Sequence, residues 1–160
     1  MTASAAAIQE VYARLDKSLE AGGFLDGWTF ERQPVEMVQG LADKPALHVS
    51  MPTMGEVQAG SRMAKASIRI TLGVSSRKVA TREGATGVIE GLMAHADDVE
   101  AVRNALETTT GTPRTPDVTL AGLLLEPMRF EGIEARINSD SFGTGMVLVL
   151  PLRAVERGER

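Results

Sequence analysis

Three sets of residues have the types that chemistry requires. Gly143-Thr144-Gly145, within SFGTGMVLVL, places a hydroxyl between two glycines, as a backbone cradle for phosphate would. His48 and His95 are the chain's two imidazoles, the groups most able to ligate a metal or move a proton. Glu126 and Glu131 form an acid pair of the kind that can share general acid and base roles.

Each set has to be weighed against the element that would carry it. A phosphate loop runs from a strand through glycines into a helix whose N-terminus faces the anion. Here the glycines lead into the apolar run Met146 to Leu150, with no Lys-Ser or Lys-Thr pair after them. Gly143-Thr144-Gly145 therefore reads as a hairpin turn that launches a strand. Gly111, between Thr110 and Pro113, reads as a loop. His48 falls on the polar parity of a strand and His95 in the apolar sector of a helix, which predicts hydrogen-bonded packing residues. Asp97 and Asp98 are read as pointing away from His95, so no metal site is expected. No serine sits in a Gly-x-Ser-x-Gly elbow. Glu126, Glu131, Glu134 beside Arg136, and Asp140 beside Ser141 read as surface and hairpin charges. No catalytic residue and no cofactor is predicted.

Composition narrows the class. At 160 residues, 43% apolar and 24% charged, the chain suits one soluble domain with a single core. Without cysteine it has no disulfide, thiolate metal site or cysteine nucleophile, and a reducing cytosol suits it. The run Met146 to Leu150 is far short of a membrane span, and MTASAAAIQEVYARL lacks the pattern of a signal peptide. A net charge of -4, with one Trp, one Tyr and four Phe, argues against a nucleic-acid platform. Arg62, Lys65, Arg69, Arg77, Lys78 and Arg82 make the middle locally basic and read as a solvated face or contact patch.

The elements follow from periodicity. Ile8, Val11, Tyr12, Leu15 and Leu19 recur at helical spacing, with Arg14 among the polar residues between them. Ser4 is the expected cap and Gly22-Gly23 the exit. Trp28 to Gln33 and Ala46 to Met51 read as strands, and Pro52 to Met63 as a long loop or hairpin. In SIRITLGVSS every second residue is apolar, the pattern of a strand buried on one face. Glu83 to Glu107 reads as a long helix whose stripe is Val88, Leu92, Val99, Val102 and Leu106. Gly84, Gly87 and Gly91 flank it and suggest a close approach to the sheet or a neighbouring chain. Ile89 and Met93 lie off the stripe, either on a broad core face or at a subunit contact. From Val118 the chain reads as a long hairpin with a bulge at Gly132, closed by a strand from Met146 to Val155. That strand, apolar on both parities, belongs inside a sheet or against a partner. The whole predicts a single α+β domain over residues 1–160: a mostly antiparallel sheet, an N-terminal helix and one long helix packed on it. A charged, mobile end begins at about residue 156.

This order of elements resembles the tail terminator (tail completion) proteins of long-tailed bacteriophages and related tail-like particles. Ile68 to Val74 match the family's alternating strand, Ser75 to Arg82 its polar turn, and Val88 to Leu106 its helix. Leu123 to Ile137 and Met146 to Val155 match the closing hairpin. The resemblance implies a virion subunit, assembled in the host cytoplasm, that forms a hexameric ring at the tail-neck junction. Such a ring ends polymerisation of the tail tube protein and joins the tail to the head-tail connector or stopper protein. DNA passes through its lumen without specific binding, which an acidic balance suits. Met51, Met54 and Met63 would adapt to a partner ring, beside Ile89 and Met93 as candidate contacts. Two rival readings remain: a stopper or adaptor ring of the same neck, and a small cytosolic enzyme or ligand-binding domain with a pocket near His48 or His95.

Overall fold

In the computed structural model the alternating residues Ile68, Ile70, Leu72 and Val74 are fully buried, while Arg69 and Thr71 between them are exposed. The structure describes residues 3–31, 45–50, 52–54, 63–64, 67–77, 84–109, 115–137, 141–152 and 155–156. In chain order the elements are α1 (Ala3–Leu19), β1 (Thr29–Glu31), β2 (Ala46–Val49), β3 (Thr53–Met54), β4 (Met63–Ala64) and β5 (Ser67–Arg77). Then come α2 (Gly84–Leu106), β6 (Arg129–Ile137), β7 (Ser141–Pro151) and β8 (Val155–Glu156). The fold is α+β. Its main sheet runs β1-β2-β5-β7-β6, with β3 on the same side of β5 as β2. β1 and β2 are parallel and the other pairings antiparallel; β4 and β8 form a separate two-stranded ladder.

β7 lies between β5 and β6, which explains its apolar residues on both parities. Met146, Leu148 and Leu150 join the buried residues of β5 and of β2, Leu47 and Val49. Ala7, Val11 and Leu15 of α1 and Val102, Ala105 and Leu106 of α2 complete this core. Each large aliphatic side chain so buried contributes about 1.5–3 kcal/mol. On the other parity Val149 is also fully buried, although its in-register neighbours are Arg69 and Arg129. Arginine stems can cover an aliphatic neighbour while their heads stay in water. Here the heads meet one carboxylate: Arg129 Nε donates to Glu131 Oε1 at 2.7 Å, and Arg69 Nη1 lies 3.4 Å from Oε2. The bond from Arg129 is the main reason the Glu131 carboxyl lies below its ordinary range.

Several expectations are corrected. Gly143-Thr144-Gly145 is neither a cradle nor a turn: it lies within β7, paired with Gly73 to Ser75. The closing strand stops at Pro151, and Val155 belongs to β8. Ser4 sits inside the first turn of α1, not before it, although Gly22 does leave the helix with φ 79°. The bulge at Gly132 is present, with φ 58° and a register shift between Glu131 and Glu134. Beyond it Ile133 is exposed, on the edge strand. Val118 to Met128 is not strand. Leu120, Ala121 and Gly122 are consecutively left-handed, with φ 49°, 56° and 82°, a conformation unfavourable for residues with a Cβ. The expected mobile end from residue 157 onward lies outside the described residues.

The largest departure concerns Arg14, read as solvent-facing. The buried side of α1 is Ala7, Val11, Arg14, Leu15 and Ser18, and Ile8, Tyr12 and Leu19 are only partly covered. Arg14 is 1% exposed. Its Nη1 donates to the carbonyls of Leu106 (2.7 Å) and Asp117 (2.6 Å), its Nη2 to Asp117 Oδ2 (2.8 Å) and its Nε to Glu10 Oε1 (3.0 Å). The Leu106 carbonyl ends α2 and has no partner within the helix, so Arg14 caps it. Asp117 in turn accepts from the Thr119 amide and hydroxyl and from the Ala121 amide, the last at 2.7 Å. These bonds hold the left-handed turn in place. Burial would raise the Asp117 carboxyl, but the amides of Ala121 and Thr119, the Thr119 hydroxyl and Arg14 hold it at about 2.

Arg14→Ala should lower unfolding stability in urea by about 1–3 kcal/mol, because it leaves the carbonyls of Leu106 and Asp117 without their side-chain donor. Asp117 has a folded pKa below its ordinary 3.8, so its stabilisation is complete above about pH 4 and lost as pH falls toward about 2. Acid unfolding curves of Arg14→Ala should show a smaller loss through that window.

Candidate functional site

The polar residues that the fold does bring together lie under α2. Gly91 makes the approach possible, since a Cβ there would stand 2.7 Å from the Phe142 ring. At Gly91 this is the close approach to the sheet that the glycines of the helix predicted. One turn further on, His95 enters the interface and is 4% exposed. Register brings Ser76 of β5 and Phe142 of β7 side by side, with Val74 and Thr144 as the next pair on the same face. His95 Nδ1 is 2.7 Å from Ser76 Oγ, and its Nε2 is 2.7 Å from Thr144 Oγ1. Ser76 Oγ also donates to Asp98 Oδ2 at 2.6 Å. Phe142 stacks on the imidazole, with centroids 6.0 Å apart and planes at 27°.

For a neutral ring these bonds assign the protons. A hydroxyl has one proton to donate. Since the Ser76 proton goes to Asp98, Nδ1 carries the ring hydrogen and donates to Ser76 Oγ. Nε2 then accepts from the Thr144 hydroxyl. The chain Thr144 to His95 to Ser76 to Asp98 thus runs in one direction and is complete for a neutral ring. Burial lowers the pKa of His95, against the pull of the nearby Asp98 carboxylate.

The reading of His95 as a hydrogen-bonded packing residue is borne out. Asp98 was misread: at i, i+3 from His95 it lies on the same side of the helix. Thr144 was missed because its stretch was taken for a turn. Its parity with Met146, Leu148 and Leu150 was the available signal. His48, expected on a polar parity, is 8% exposed, because β2 is buried along its whole length.

Ser76, His95 and Asp98 are the residue types of a nucleophilic triad, but not its connectivity. In a triad the carboxylate orients the imidazole and the imidazole takes the serine proton. Here the carboxylate takes that proton directly, and Ser76 is 8% exposed. Elsewhere, a depression between Arg14, Phe24 and Thr109 encloses no space for a water molecule. Among the described residues no three His, Asp or Glu are grouped to hold a metal ion, and no helix is long and apolar enough to cross a membrane.

The candidate contacts fare unequally. Ile89 and Met93 are 59% and 65% exposed, one turn apart on α2, so they are not part of a broad core face. Exposed Glu90, Ala94, Asp97 and Glu100 lie around them. Met54 pairs with Ile68 and Met63 with Glu156 through the backbone. Met51 lies outside the described residues, as do Arg62, Lys65, Lys78 and Arg82 of the basic stretch. In comparisons with known proteins, no family model and no curated protein matches the chain.

Thr144→Val should cost about 1–3 kcal/mol in thermal or urea unfolding, because it leaves a buried ring nitrogen without its donor. Gly91→Ala should also destabilise. Its gain of about 1 kcal/mol in helix propensity is offset by overpacking against Phe142, worth about 1–3 kcal/mol. Adding Phe142→Leu should recover part of that loss, as a double-mutant cycle would read.

Proposed function

We propose that the chain is a structural subunit that works by assembly: a ring-forming tail terminator of a long-tailed phage or tail-like particle. In this reading a hexameric ring caps the tail tube and joins it to the head-tail connector. Its own chemistry is contact, not catalysis. The observation that carries the proposal is the conjunction of element order with an unburied apolar pair. α1, β5, α2 and the β6–β7 hairpin follow one another as in that family. α2 also turns Ile89 and Met93 outward while its opposite side packs on the sheet. Single exposed apolar residues are ordinary, but an adjacent pair on one helix face suits a surface that another chain covers. Among the described residues β6 is an edge strand with Ile133 exposed on it, a second feature that a neighbour would cover.

Light scattering and electron microscopy of the purified chain should find rings. Ile89→Asp combined with Met93→Asp should give a folded subunit that no longer forms them, since both side chains are already in water. Particles produced without the protein should carry tails of uncontrolled length. Normal-length tails without heads would point instead to a stopper or adaptor. A lone monomer that loses a small-molecule affinity on His48→Ala or His95→Ala would replace the structural reading with the enzymatic one.

A further inference from the structure

Between Ile89 and Ala101 a single side chain of α2 is buried, and it belongs to His95. Gly91, Leu92, Asp98, Val99 and Ala101 are partly covered, and the others in this span are exposed. The C-terminal end of the helix is held differently, by Val102, Ala105 and Leu106, all buried and apolar. The same helix is thus docked by buried apolar residues at its end, while over residues 89–101 the one buried side chain, His95, is joined by Val99 and Ala101, which only partly pack against the core. We infer that His95 is an acid-operated clasp: the neutral ring holds the middle of α2 on β5 and β7, and protonation loosens it while Val102 to Leu106 stay docked.

The hydrogen-bond chain gives the reason. A proton arriving on Nε2 removes the lone pair that accepts from Thr144, so that hydroxyl must turn its own proton elsewhere. The ring also becomes a charge stacked on Phe142 in a buried interface. The groups facing it are Ser76 from β5, Thr144 and Phe142 from β7, and Asp98 from α2 itself. Asp98 is the charged one among these described residues, and it lies on the Nδ1 side, where Ser76 stands between it and the ring. It softens the new charge only across Ser76, while Nε2–H meets the Thr144 oxygen and leaves that hydroxyl's own proton to find another acceptor in a buried interface.

The sign follows from linkage. An unfolded ring takes up its proton near 6.5, and the docked ring only at a lower pH. The clasp is therefore complete above about pH 6.5 and weakens as pH falls below it. Opening uncovers Phe142 of β7, which is 2% exposed when docked, beneath the helix that already carries Ile89 and Met93. The device belongs to the single subunit and holds whether or not the chain assembles into rings.

NMR on the intact chain tests it by following the two imidazoles separately and measuring amide protection from about pH 7.5 to about pH 5. The expected result is a His95 midpoint below the ordinary value. Protection over residues 89–101 should fall in step with it, while Val102 to Leu106 keep theirs. His95→Gln, which can still donate and accept, should make that protection independent of pH. Should this variant fail to fold, Thr144→Val serves, and its His95 should titrate closer to the ordinary value. The clasp is overturned if His95 in the unmodified chain titrates at or above 6.5. It is equally overturned if the ring titrates with α2 protection unchanged, or if the response survives in His95→Gln.

Discussion

A guanidinium without access to water must find an acceptor for nearly every proton it carries, and the placement of three elements follows from how Arg14 meets that demand. A buried charge costs several kcal/mol unless its hydrogen bonds are made. Arg14 makes them to Glu10 on its own helix, to the last carbonyl of α2 and to both the carbonyl and carboxylate of Asp117. The consequence is geometric. α1 must present Arg14 inward, α2 must end where its carbonyl can be reached, and the chain after α2 must return past the same point. From Asp117 the constraint passes on through the Thr119 and Ala121 amides to the left-handed turn at Leu120 to Gly122. That turn buries Leu120 and brings Leu124 to its bridge with Leu152, which sets where β6 begins.

Much of this frame was legible before any coordinates. The alternation in SIRITLGVSS, the long helix after it, the bulge at Gly132 and the interior position of Met146 to Leu150 all appear where periodicity put them. What periodicity missed has a common cause. Patterns of apolar residues report which face is dry, but they class Arg14, Thr144 and Asp98 as wet by residue type. Arg14 is dry because its partners lie 92 and 103 residues away, beyond what any local pattern can show. Thr144 followed the parity of its neighbours but was masked by two glycines that look like a turn. The segment Val118 to Met128 failed for the opposite reason: its apolar residues resemble a strand, while the bonds to Asp117 dictate backbone angles no strand has.

α2 shows how one helix can serve three ends. Its last turn is an ordinary hydrophobic anchor, its middle a polar contact made possible by Gly91, and its far side an apolar pair in water. An amphipathic helix on a monomer has little reason for the third. The structural reading of this chain as an assembling subunit draws its support from that excess.

β7 has one more consequence, which concerns time. It lies in the interior of the sheet, yet its pairing with β5 joins Ser67 to Pro151 and Arg77 to Ser141. Contacts so distant along the chain form slowly. On a ribosome that makes the chain from its N-terminus, β5 is finished long before its neighbour exists. The apolar face of β5 must wait, open, until residues through Pro151 have emerged. The central pairing of the sheet is completed only at the step that adds the residues of β7. The interval before that step is when the chain most needs protection from other unpaired strands.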